Sequence, residues 1–590
     1  MDTADSVVFF DLGDTLGTPV LSPPPVHLVG FQPFGFAVEV LDELRGRRLG
    51  IISNTGQDDG TAVDAVLHAV GLRDRFETAL RIYSRDVGLR KDSPEIFQLA
   101  AGRAAVAAER CVFCGEDASE RGFARQAGWR TAPHPLLVED VLAGAVLRYL
   151  RITVASDWPA VLRRLRVVPL HVTAETVYAM AAERAVTELT GLGFAVQPLG
   201  EVDAPQHTDL YLFRDDATAA GRFGVADDEA GLIVALPAGQ SPDDYHAAAS
   251  RHGHHVRLLP DPSLLAPAAH RPPAAAALTE TTAPDPKAFA DLTGETIADR
   301  VRRYCTEPIG SRHVAHPGNR RAVDEIATEF AGLAGGRLTV RLLPFTHGGR
   351  TLFNVEATLP GESEAAVLVT AHLDATAMSS QPYRPERDPA PGADDDGSGL
   401  AAVLAIAERL AALLPEPPVH TLRFVLFNAE EQGLVGSGAY ARQQRAAGAD
   451  IRAVLQLDMI GFNRSGPRSW ELHAGHRTDP GVESASRQLA GELHHLTALM
   501  APELEPPQIY HSDLPGGDPA DGRSDHSSFQ LRGYPACLAS EDFFAGPAGT
   551  DPEPNPDYHR STDTFVDPEY AADIARVVAA AAFLRATTAP

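Results

Sequence analysis

Short apolar runs alternate with amphipathic stretches along most of the chain. Within the first 142 residues, the apolar runs are VVFFD (7–11), LGIISN (49–54) and RCVFCG (110–115), and helix-like stretches cover Phe36 to Leu44 and Pro94 to Ala105. Strands that alternate with helices are typical of an α/β fold with a parallel sheet. The pattern therefore predicts a first α/β domain over residues 1–145.

The pattern is weaker between residues 149 and 262, where we predict a small α+β middle domain. Strand candidates are 149–154, 168–173, 208–214, 231–237 and 254–260, and a helix is predicted near 176–191. No group of residues in this segment suggests chemistry, so we expect it to act as a spacer or docking domain.

A stretch rich in proline and alanine, residues 263–287, follows the middle segment. Such a composition cannot bury a core and favours an extended conformation, so we interpret it as a linker. Beyond it, residues 288–590 return to an α/β pattern with long helices, and we predict a third domain there.

The charge of the chain excludes some classes of partner. Its 590 residues include 79 acidic and 51 basic side chains, which gives a net charge of −28. A protein that binds nucleic acid or anionic membranes needs a basic face, so neither partner is expected. The sequence has no apolar run of ~18 residues, and its start, Met1-Asp2, lacks the basic residues of a secretory signal. We therefore expect a cytoplasmic protein, and the composition leaves its oligomeric state open.

The four cysteines, Cys111, Cys114, Cys305 and Cys537, are too few for a disulfide framework in a chain of this length. Cys111 and Cys114 form a C-x-x-C motif, but no second pair completes a zinc site. The apolar run CVFC that contains them indicates a buried strand.

Five groups of residues that can bind metals follow apolar strands in the C-terminal segment. They are His372 with Asp374 in AAVLVTAHLD, Asp394 to Asp396 in PGADDDGSG, Glu430 with Glu431 in FNAEEQG, Asp458 in LQLDMIG, and Asp525 with His526 in GRSDHSSF. Each motif alone has an ordinary explanation as a turn, a helix cap or a solvated face. Together they indicate a site, because ligands of open α/β sheets bind outside the carboxyl ends of the strands.

The donor types indicate zinc, which binds imidazole nitrogen and carboxylate oxygen. Several carboxylates around one pocket would repel each other strongly without cations. Two Zn²⁺ ions at a separation of about 3.5–4 Å would remove this repulsion and form a device that recurs in hydrolases. The residues therefore predict a two-zinc hydrolytic site.

The motifs HLD, PGADDDGSG, NAEEQGLVGS, LDMIG and RSDHSSF, in this order, resemble those of the M28 family of dizinc aminopeptidases. Residues 311–330 resemble the opening helix region of the family, and NPDYHRSTDT (555–564) resembles its C-terminal motif. The resemblance covers about 288–590. It implies an α/β zinc-peptidase domain of the phosphorylase/hydrolase-like type with a central mixed sheet.

The resemblance also implies a set of zinc ligands. Asp395 would bridge two zinc ions. His372 and Asp458 would complete one zinc site, and Glu431 and His526 would complete the other.

The same resemblance assigns the residues around the zinc ions. Glu430 would be the general base. Asp374 and Asp396 would support the ligands from behind, where a carboxylate fixes the imidazole tautomer, and the Asp395–Asp396 peptide is cis in the family. Tyr510 and His559 are candidates for contacting the substrate or its oxyanion.

The implied activity is hydrolysis of the N-terminal peptide bond of a peptide or an aminoacyl amide. A glutaminyl cyclase, which shares the fold but uses one zinc, and a carboxypeptidase are alternatives, although EEQGLVGS follows the peptidase form more closely. A peptide-binding protein without activity is a further alternative, but such a protein has no need of Glu430.

The first domain carries a second resemblance. FFDLGDTLG (9–17) resembles the first motif of the haloacid dehalogenase (HAD) superfamily, in which Asp11 would be the nucleophile. Ser53, Lys91 and Glu116 match the second, third and fourth motifs in order. Only two of the 51 basic residues are lysines, so a lysine at the third motif adds to the resemblance. It implies a HAD-like Rossmannoid fold.

Departures from the HAD pattern count against phosphatase chemistry. Gly13 occupies the position of the usual acid/base, and Asp14 is displaced from it by one residue. Glu116 stands where Asp is usual, and Arg121 places positive charge where Mg²⁺ requires oxygen donors. We expect a degenerate module with a binding or docking role and no Mg²⁺. An active HAD hydrolase in a bifunctional protein is the alternative.

Overall fold

The N-terminal segment folds around a parallel sheet. In the computed structural model its strands are β1 Val7–Phe10, β2 Gly17–Leu21, β3 Leu28–Pro33, β4 Arg48–Ser53, β5 Arg81–Tyr83, β6 Cys111–Cys114 and β7 Arg130–Ala132. Its helices are α1 Gly35–Glu43, α2 Gly60–Ala69, α3 Ser84–Val87, α4 Glu95–Ala104, α5 Ala118–Gln126 and α6 Val138–Leu142. Five strands pair in the order β5-β4-β1-β6-β7, all parallel. The predicted α/β fold is confirmed, and the C-x-x-C cysteines are buried in β6.

The structure describes residues 6–154, 158–173, 175–204, 207–213, 221–228, 231–237, 240, 255–265, 284–465, 467–544 and 554–588. Most of the predicted linker, residues 266–283, lies outside these described residues.

The middle segment contains two antiparallel sheets. Its elements are β8 Leu147–Thr153, α7 Trp158–Arg164, β9 Val168–Val172, β10 Thr176–Ala182, α8 Glu183–Gly191, β11 Ala195–Glu201, β12 His207–Phe213, β13 Gly224–Asp228, β14 Gly231–Pro237 and β15 His255–Leu258. The strand orders are β11-β8-β10-β9 and β13-β14-β12-β15. The prediction of a helix near 176–191 is wrong in its first half, because TVYAMAA forms β10. All seven residues of β10 are buried, so the strand shows no alternation of polar and apolar positions.

The C-terminal segment folds around a large mixed sheet. Its strands are β16 Thr339–His347, β17 Arg350–Leu359, β18 Ser363–His372, β19 His420–Phe427, β20 Ile451–Leu457, β21 Trp470–His473, β22 Gln508–Tyr510 and β23 Ala536–Glu541. Its helices are α9 Gly294–Cys305, α10 Pro317–Gly332, α11 Gly397–Leu413, α12 Val435–Ala446, α13 Pro480–Met500, α14 His526–Gln530 and α15 Pro568–Thr587. Strands β23, β20, β18 and β19 are neighbours and run parallel, and α11 and α15 pack in the core beside them.

The N-terminal segment completes one edge of this large sheet. Its ten strands lie in the order β22-β21-β23-β20-β18-β19-β17-β16-β2-β3. The hairpin β2-β3 comes from the N-terminal segment, and Leu21 of β2 is paired antiparallel with Leu342 of β16. The N-terminal and C-terminal segments therefore share a sheet.

No helix in the described part of the chain combines the length and the apolar character that a membrane crossing requires.

Candidate metal centre

Loops at the carboxyl ends of neighbouring parallel strands bring the predicted ligands together. His372 is the last residue of β18, Glu431 follows β19, and Asp458 directly follows β20. Asp395 lies in the turn before α11, the helix that connects β18 to β19. The sequence motifs and the strand order thus place four of the five predicted ligands at one edge of the sheet, as expected for an open α/β fold.

Asp395 is shared by two groups of three side chains. Its Oδ1 is 3.1 Å from His372 Nε2, which is also 3.5 Å from Asp458 Oδ1. Its Oδ2 is 3.2 Å from His559 Nε2, which is 3.0 Å from Glu431 Oε2. Each group thus contains one imidazole and two carboxylates, and Asp395 belongs to both.

The structure corrects the expectation for His526. Among the described residues, the second group contains His559 in the place that His526 was expected to take. His526 begins α14, and its Nε2 lies 3.4 Å from Ser527 Oγ. The loop before α14 instead supports the centre through Ser524, whose hydroxyl donates to Asp458 Oδ2 at 2.6 Å. The motif NPDYHRSTDT contained the signal, but the sequence does not show how far its loop reaches.

Asp374 and Asp396 support the centre through backbone groups. Asp374 accepts hydrogen bonds from the amides of Glu430 and Glu431, at 3.0 and 3.2 Å, and its Oδ1 lies 3.7 Å from His372 Nδ1. Asp396 accepts a hydrogen bond from the His372 amide at 3.1 Å. The Asp395–Asp396 peptide is cis, as the resemblance implies.

Asp563 is a supporting residue that the sequence reasoning missed. Its carboxylate accepts hydrogen bonds from the amides of Asp394 and Asp395, each at 3.2 Å. Asn555 donates to Asp394 Oδ2 at 2.8 Å. Both residues lie in the motif that also carries His559, so this loop holds the Asp395 turn in place.

Tyr510 lies away from the two groups. Its ring stacks on His473 at 5.1 Å between centroids, and the two residues are register partners on β22 and β21. His473 in turn pairs with Leu538 in the interior of β23. β21 runs antiparallel to β23, so His473, the final residue of β21, lies away from the carboxyl end of β23. The predicted ligands lie at the carboxyl ends of the strands of this sheet. The structure therefore does not place Tyr510 with the predicted ligands.

The centre carries excess negative charge. Burial opposes a charged imidazole, yet contacts with Asp374, Asp395 and Asp458 raise the pKa of His372 well above its usual range. Contacts with Glu431 and Asp395 likewise outweigh burial and raise the pKa of His559 to about 10.

Glu430 and Glu431 are buried carboxylates that face this centre. Burial, with Asp525 and Asp458 nearby, raises the pKa of Glu430 well above its usual range. Among the described residues, neither Glu430 Oε1 nor Glu431 Oε1 has a protein hydrogen-bond partner, although both atoms are buried. Buried carboxylate oxygens are normally satisfied. The carboxylates of Glu431 and Asp458, the shared Asp395 and the two imidazoles form a donor set that fits two Zn²⁺ ions.

The HAD-like residues also come together, around Lys91. Its ammonium lies 2.7 Å from Asp11 Oδ2 and 2.6 Å from Glu120 Oε2, and the side chain is buried. Glu116 accepts a hydrogen bond from Thr15 Oγ1 at 2.8 Å, and burial beside Asp11 raises its pKa to about 8. Ser53 is buried at the end of β4.

Two neighbours of this cluster bind to other parts of the chain. Arg121 pairs with Asp203 of the middle segment at 2.8 Å and donates to the Gly115 carbonyl at 2.8 Å. Asp14 pairs with Arg442 of α12 at 3.0 Å, with both side chains buried. Two of the residues that depart from the HAD pattern, Arg121 and Asp14, thus make contacts between segments.

Comparisons with known proteins identify two regions. Residues 354–582 match the sequence model of peptidase family M28, and residues 26–128 match that of haloacid dehalogenase-like hydrolase.

Among curated relatives, leucine aminopeptidase 1 of Fusarium vanettenii is 32% identical over 226 residues, which are 36% of this chain and 50% of that protein. A "Probable zinc metalloprotease" of Pyricularia oryzae is 28% identical over 347 residues, 50% of this chain and 66% of that protein. The chain spans between 32% and 50% of the length of the first leucine aminopeptidases that it matches. Among solved structures, the LapA aminopeptidase of Legionella pneumophila has 17% identity and a TM-score of 0.45, over 76% of this chain and 100% of that one.

Proposed function

Given that the C-terminal part of this chain carries a peptidase domain of family M28, we propose that the protein is a two-zinc aminopeptidase. Its substrate is a peptide or an aminoacyl amide, from which it removes the N-terminal residue. The observation that carries the proposal is the pair of three-residue groups that share Asp395. The leucine aminopeptidases among the relatives support the same assignment.

The geometry supports a specific set of zinc ligands. His372, Asp395 and Asp458 would hold one ion, and Asp395, Glu431 and His559 would hold the other. When bound, the two ions lower the pKa of a water and polarise the scissile carbonyl. The raised pKa values of His372 and His559 fit this role. The carboxylates that favour a proton on each imidazole would favour a bound cation in the same place.

Glu430 is the general base of the proposed reaction. Its buried carboxylate lies directly before the ligand Glu431, and the amide of each residue is fixed by Asp374. Glu430 accepts the proton of the attacking water and delivers it to the leaving amine, so both proton transfers use one carboxylate. Burial of this carboxylate, which favours its protonated form, suits the second transfer.

Leucine p-nitroanilide hydrolysis tests the activity. We expect turnover by the purified chain that a chelator abolishes and added Zn²⁺ restores, with metal analysis returning two zinc ions per chain. N-acetyl-leucine p-nitroanilide is the matched control, and we expect no hydrolysis of it. Hydrolysis of both substrates would exclude an aminopeptidase. A single zinc with cyclisation of N-terminal glutamine would favour the glutaminyl cyclase, and release of a C-terminal residue would favour the carboxypeptidase.

For the HAD-like domain we propose a docking role without phosphatase activity. Lys91 is held between Asp11 and Glu120, Gly13 replaces the acid/base, and Asp14 is engaged by Arg442. The β2-β3 hairpin, which extends the peptidase sheet, supports this docking role.

Hydrolysis of p-nitrophenyl phosphate by the full chain tests this second proposal. We expect no turnover with Mg²⁺ above that of an Asp11→Asn variant. Mg²⁺-dependent turnover that the substitution abolishes would show a bifunctional enzyme instead.

A further inference from the structure

A cavity of about 480 Å³ lies between the middle segment and the peptidase domain. One wall is formed by residues 170–173 and 256–259 of the middle segment. The other is formed by the loops 476–478 and 516–523 and by the residues around α14. The volume lies within the range of about 300–1,000 Å³ that is usual for small-molecule sites. A short peptide segment fits such a space.

The cavity adjoins the segments that carry the metal centre. Leu434 lines it, and the Leu434 amide donates to the Glu430 carbonyl at 2.8 Å. Arg523 lines it from the residue before Ser524, whose hydroxyl binds Asp458. An occupant of the cavity therefore lies beside the loops that carry the proposed base and one zinc ligand.

The middle segment is fixed in place as a wall of this cavity. The Arg257 amide of β15 donates to the Gly433 carbonyl at 3.3 Å. Asp261 pairs with Arg532 at 2.7 Å, and both side chains are buried. Because these contacts reach the catalytic loop and α14, the cavity is built by two segments of the chain acting together.

The charges around the cavity are unusual for this chain. Its charged lining residues are Arg257, Arg477, Arg523, Arg532, Asp518 and Asp521. Asp518 is paired with the buried His473 at 2.8 Å, Arg532 is paired with Asp261, and Arg257 Nη1 donates to the Thr346 carbonyl at 3.1 Å. Within a chain of net charge −28, this lining carries an excess of guanidinium groups. Guanidinium groups bind carboxylates through charge-assisted, often bidentate hydrogen bonds.

We propose that this cavity binds a carboxylate of the peptide substrate, either an acidic side chain or the C-terminal carboxylate of a short peptide. The proposal rests on the proposed aminopeptidase function and names its substrate class. It assigns the middle segment a role in substrate recognition, through Arg257, together with Arg477 and Arg523 of the peptidase domain.

Arg477 is the residue best suited to a test. Its side chain is exposed at the rim, and its Nη2 lies 3.5 Å from the Gly516 carbonyl, a distance at the limit of a hydrogen bond. Replacement by glutamine therefore leaves the fold intact. Arg302 on α9, which is exposed and paired with Asp299, is the matched control outside the cavity.

Two pairs of peptides test the proposal in the zinc-loaded full chain. One pair is Leu-Ala-Ala as the free acid and as the amide, and the other is Leu-Ala-Glu-amide and Leu-Ala-Gln-amide. We expect a KM roughly tenfold lower for the carboxylate-bearing member of at least one pair. Arg477→Gln or Arg523→Gln should lose most of this preference, while Arg302→Gln keeps it. Leucine p-nitroanilide, which has no carboxylate, should be hydrolysed equally by wild type and by Arg302→Gln, the control outside the cavity.

Equal KM values within both pairs would overturn the proposal, as would a preference that survives in both cavity variants. Inorganic phosphate alone tests whether the cavity binds a free anion. If it raises the Tm of the wild type but not of Arg477→Gln, while the peptide pairs stay equal, the cavity binds a free anion and the substrate assignment is wrong. Failure of the aminopeptidase function is distinguishable, because no substrate would then be cleaved. Calorimetric binding of the same peptide pairs would then test the cavity by itself.

Discussion

Asp395 is the residue on which the centre depends, because its two oxygens face two different imidazoles. Oδ1 lies near His372 and Oδ2 near His559. The amide of Asp395 is held by Asp563, so the turn that carries the carboxylate is fixed from behind. A carboxylate placed in this way can hold two cations at a short separation, which is the arrangement that two-metal hydrolases use.

Glu430→Gln tests the base directly. Glutamine keeps the shape of the side chain but cannot accept the proton of the attacking water, so we expect kcat on leucine p-nitroanilide to fall by about 10²–10⁴-fold. Zinc content should be unchanged, since Glu430 belongs to neither group of ligands. Full activity in this variant would remove Glu430 from the base role.

His559→Ala separates the two candidates for the second zinc site. Because His559 Nε2 faces both Asp395 and Glu431, we expect the variant to retain about one zinc ion per chain by metal analysis and to lose most activity. His526→Ala is the matched control and should retain two. The opposite result would restore His526 as the ligand.

His473 makes a pH-dependent contribution to stability. Burial opposes its charge, but Asp518 and Glu471 outweigh burial and raise its pKa to about 9. A pKa raised above the unfolded value of about 6.5 stabilises the folded state fully below pH 6.5, and this stabilisation is lost as the pH rises through 9. The loss is about 3 kcal/mol over that window, at 1.36 kcal/mol per pKa unit.

Urea unfolding between pH 6 and pH 10 measures this effect. We expect His473→Gln to be less stable at pH 6 and to show a flatter dependence of unfolding free energy on pH. His494→Gln, at an exposed position of α13, should behave as wild type. An unchanged slope in His473→Gln would show that this imidazole is neutral in the folded protein.

At the scale of elements, the loop between β19 and α12 connects the metal centre to the middle segment. Gly433 has a φ of +100° in this loop, a backbone conformation that residues with a side chain rarely adopt. A Cβ at this position would meet the backbone carbonyl of His255 in β15. Glycine is therefore required both by the turn and by the close approach of the two segments.

Gly433→Ala should disturb the metal centre, although Gly433 is not one of its residues. Backbone atoms surround the position, so no side-chain rotation relieves the clash, and the loop that carries Glu430 and Glu431 has to move. A displacement of about 1 Å can lower the rate by roughly 10²-fold. We expect a fall of that order in kcat on leucine p-nitroanilide.

The matched control for this substitution is Gly491→Ala in α13, where a Cβ has open space. It should keep full activity and gain about 0.5–1 kcal/mol of stability from the helix propensity of alanine. Normal kcat in Gly433→Ala would show that the middle segment does not position the catalytic loop.

At the scale of the whole molecule, all three segments meet at α12 and the loop before it. The middle segment contacts Gly433, and the N-terminal segment contacts Arg442 through Asp14. The β2-β3 hairpin covers β16, which would otherwise be an exposed edge of the large sheet. The three segments therefore contact one another at α12, at the loop before it and at the edge of the large sheet.

Asp14→Asn tests the contact between the first and last segments. The substitution keeps the size of the side chain, and asparagine tolerates the φ of 53° at this position. It leaves the Arg442 guanidinium buried without its carboxylate, which should lower the free energy of unfolding by about 3–5 kcal/mol.

Urea denaturation compares this variant with Asp74→Asn at an exposed position, for which a change within about 0.5 kcal/mol is expected. The double variant Asp14→Asn/Arg442→Met should recover much of the loss, because it removes the unpaired charge. Equal stability of wild type and Asp14→Asn would contradict the importance of this ion pair.

The sequence predicted most strands because burial and alternation are local properties. The strand VVFFD and the helix from Gly397 are both observed. Strand β10 was predicted as a helix because its seven buried residues show no period of two. Its neighbour β9 directly precedes it in the chain, but its other neighbour, β8, pairs with it across a sequence distance that the local pattern cannot show.

The sequence by itself predicted the chemistry of the candidate site. Metal-ligand residue types at strand ends, together with motif order, led to His372, Asp395, Glu431 and Asp458, and to Glu430 as base. Only the tertiary structure shows that His559, and not His526, lies beside Asp395 and Glu431. His526 begins α14 and His559 lies in a loop, both outside the central strands, and which of the two reaches the centre depends on packing over long distances. For the same physical reason, the sequence did not predict the shared sheet or the contacts of Asp14 and Gly433. A contact between distant segments leaves no pattern in either segment alone.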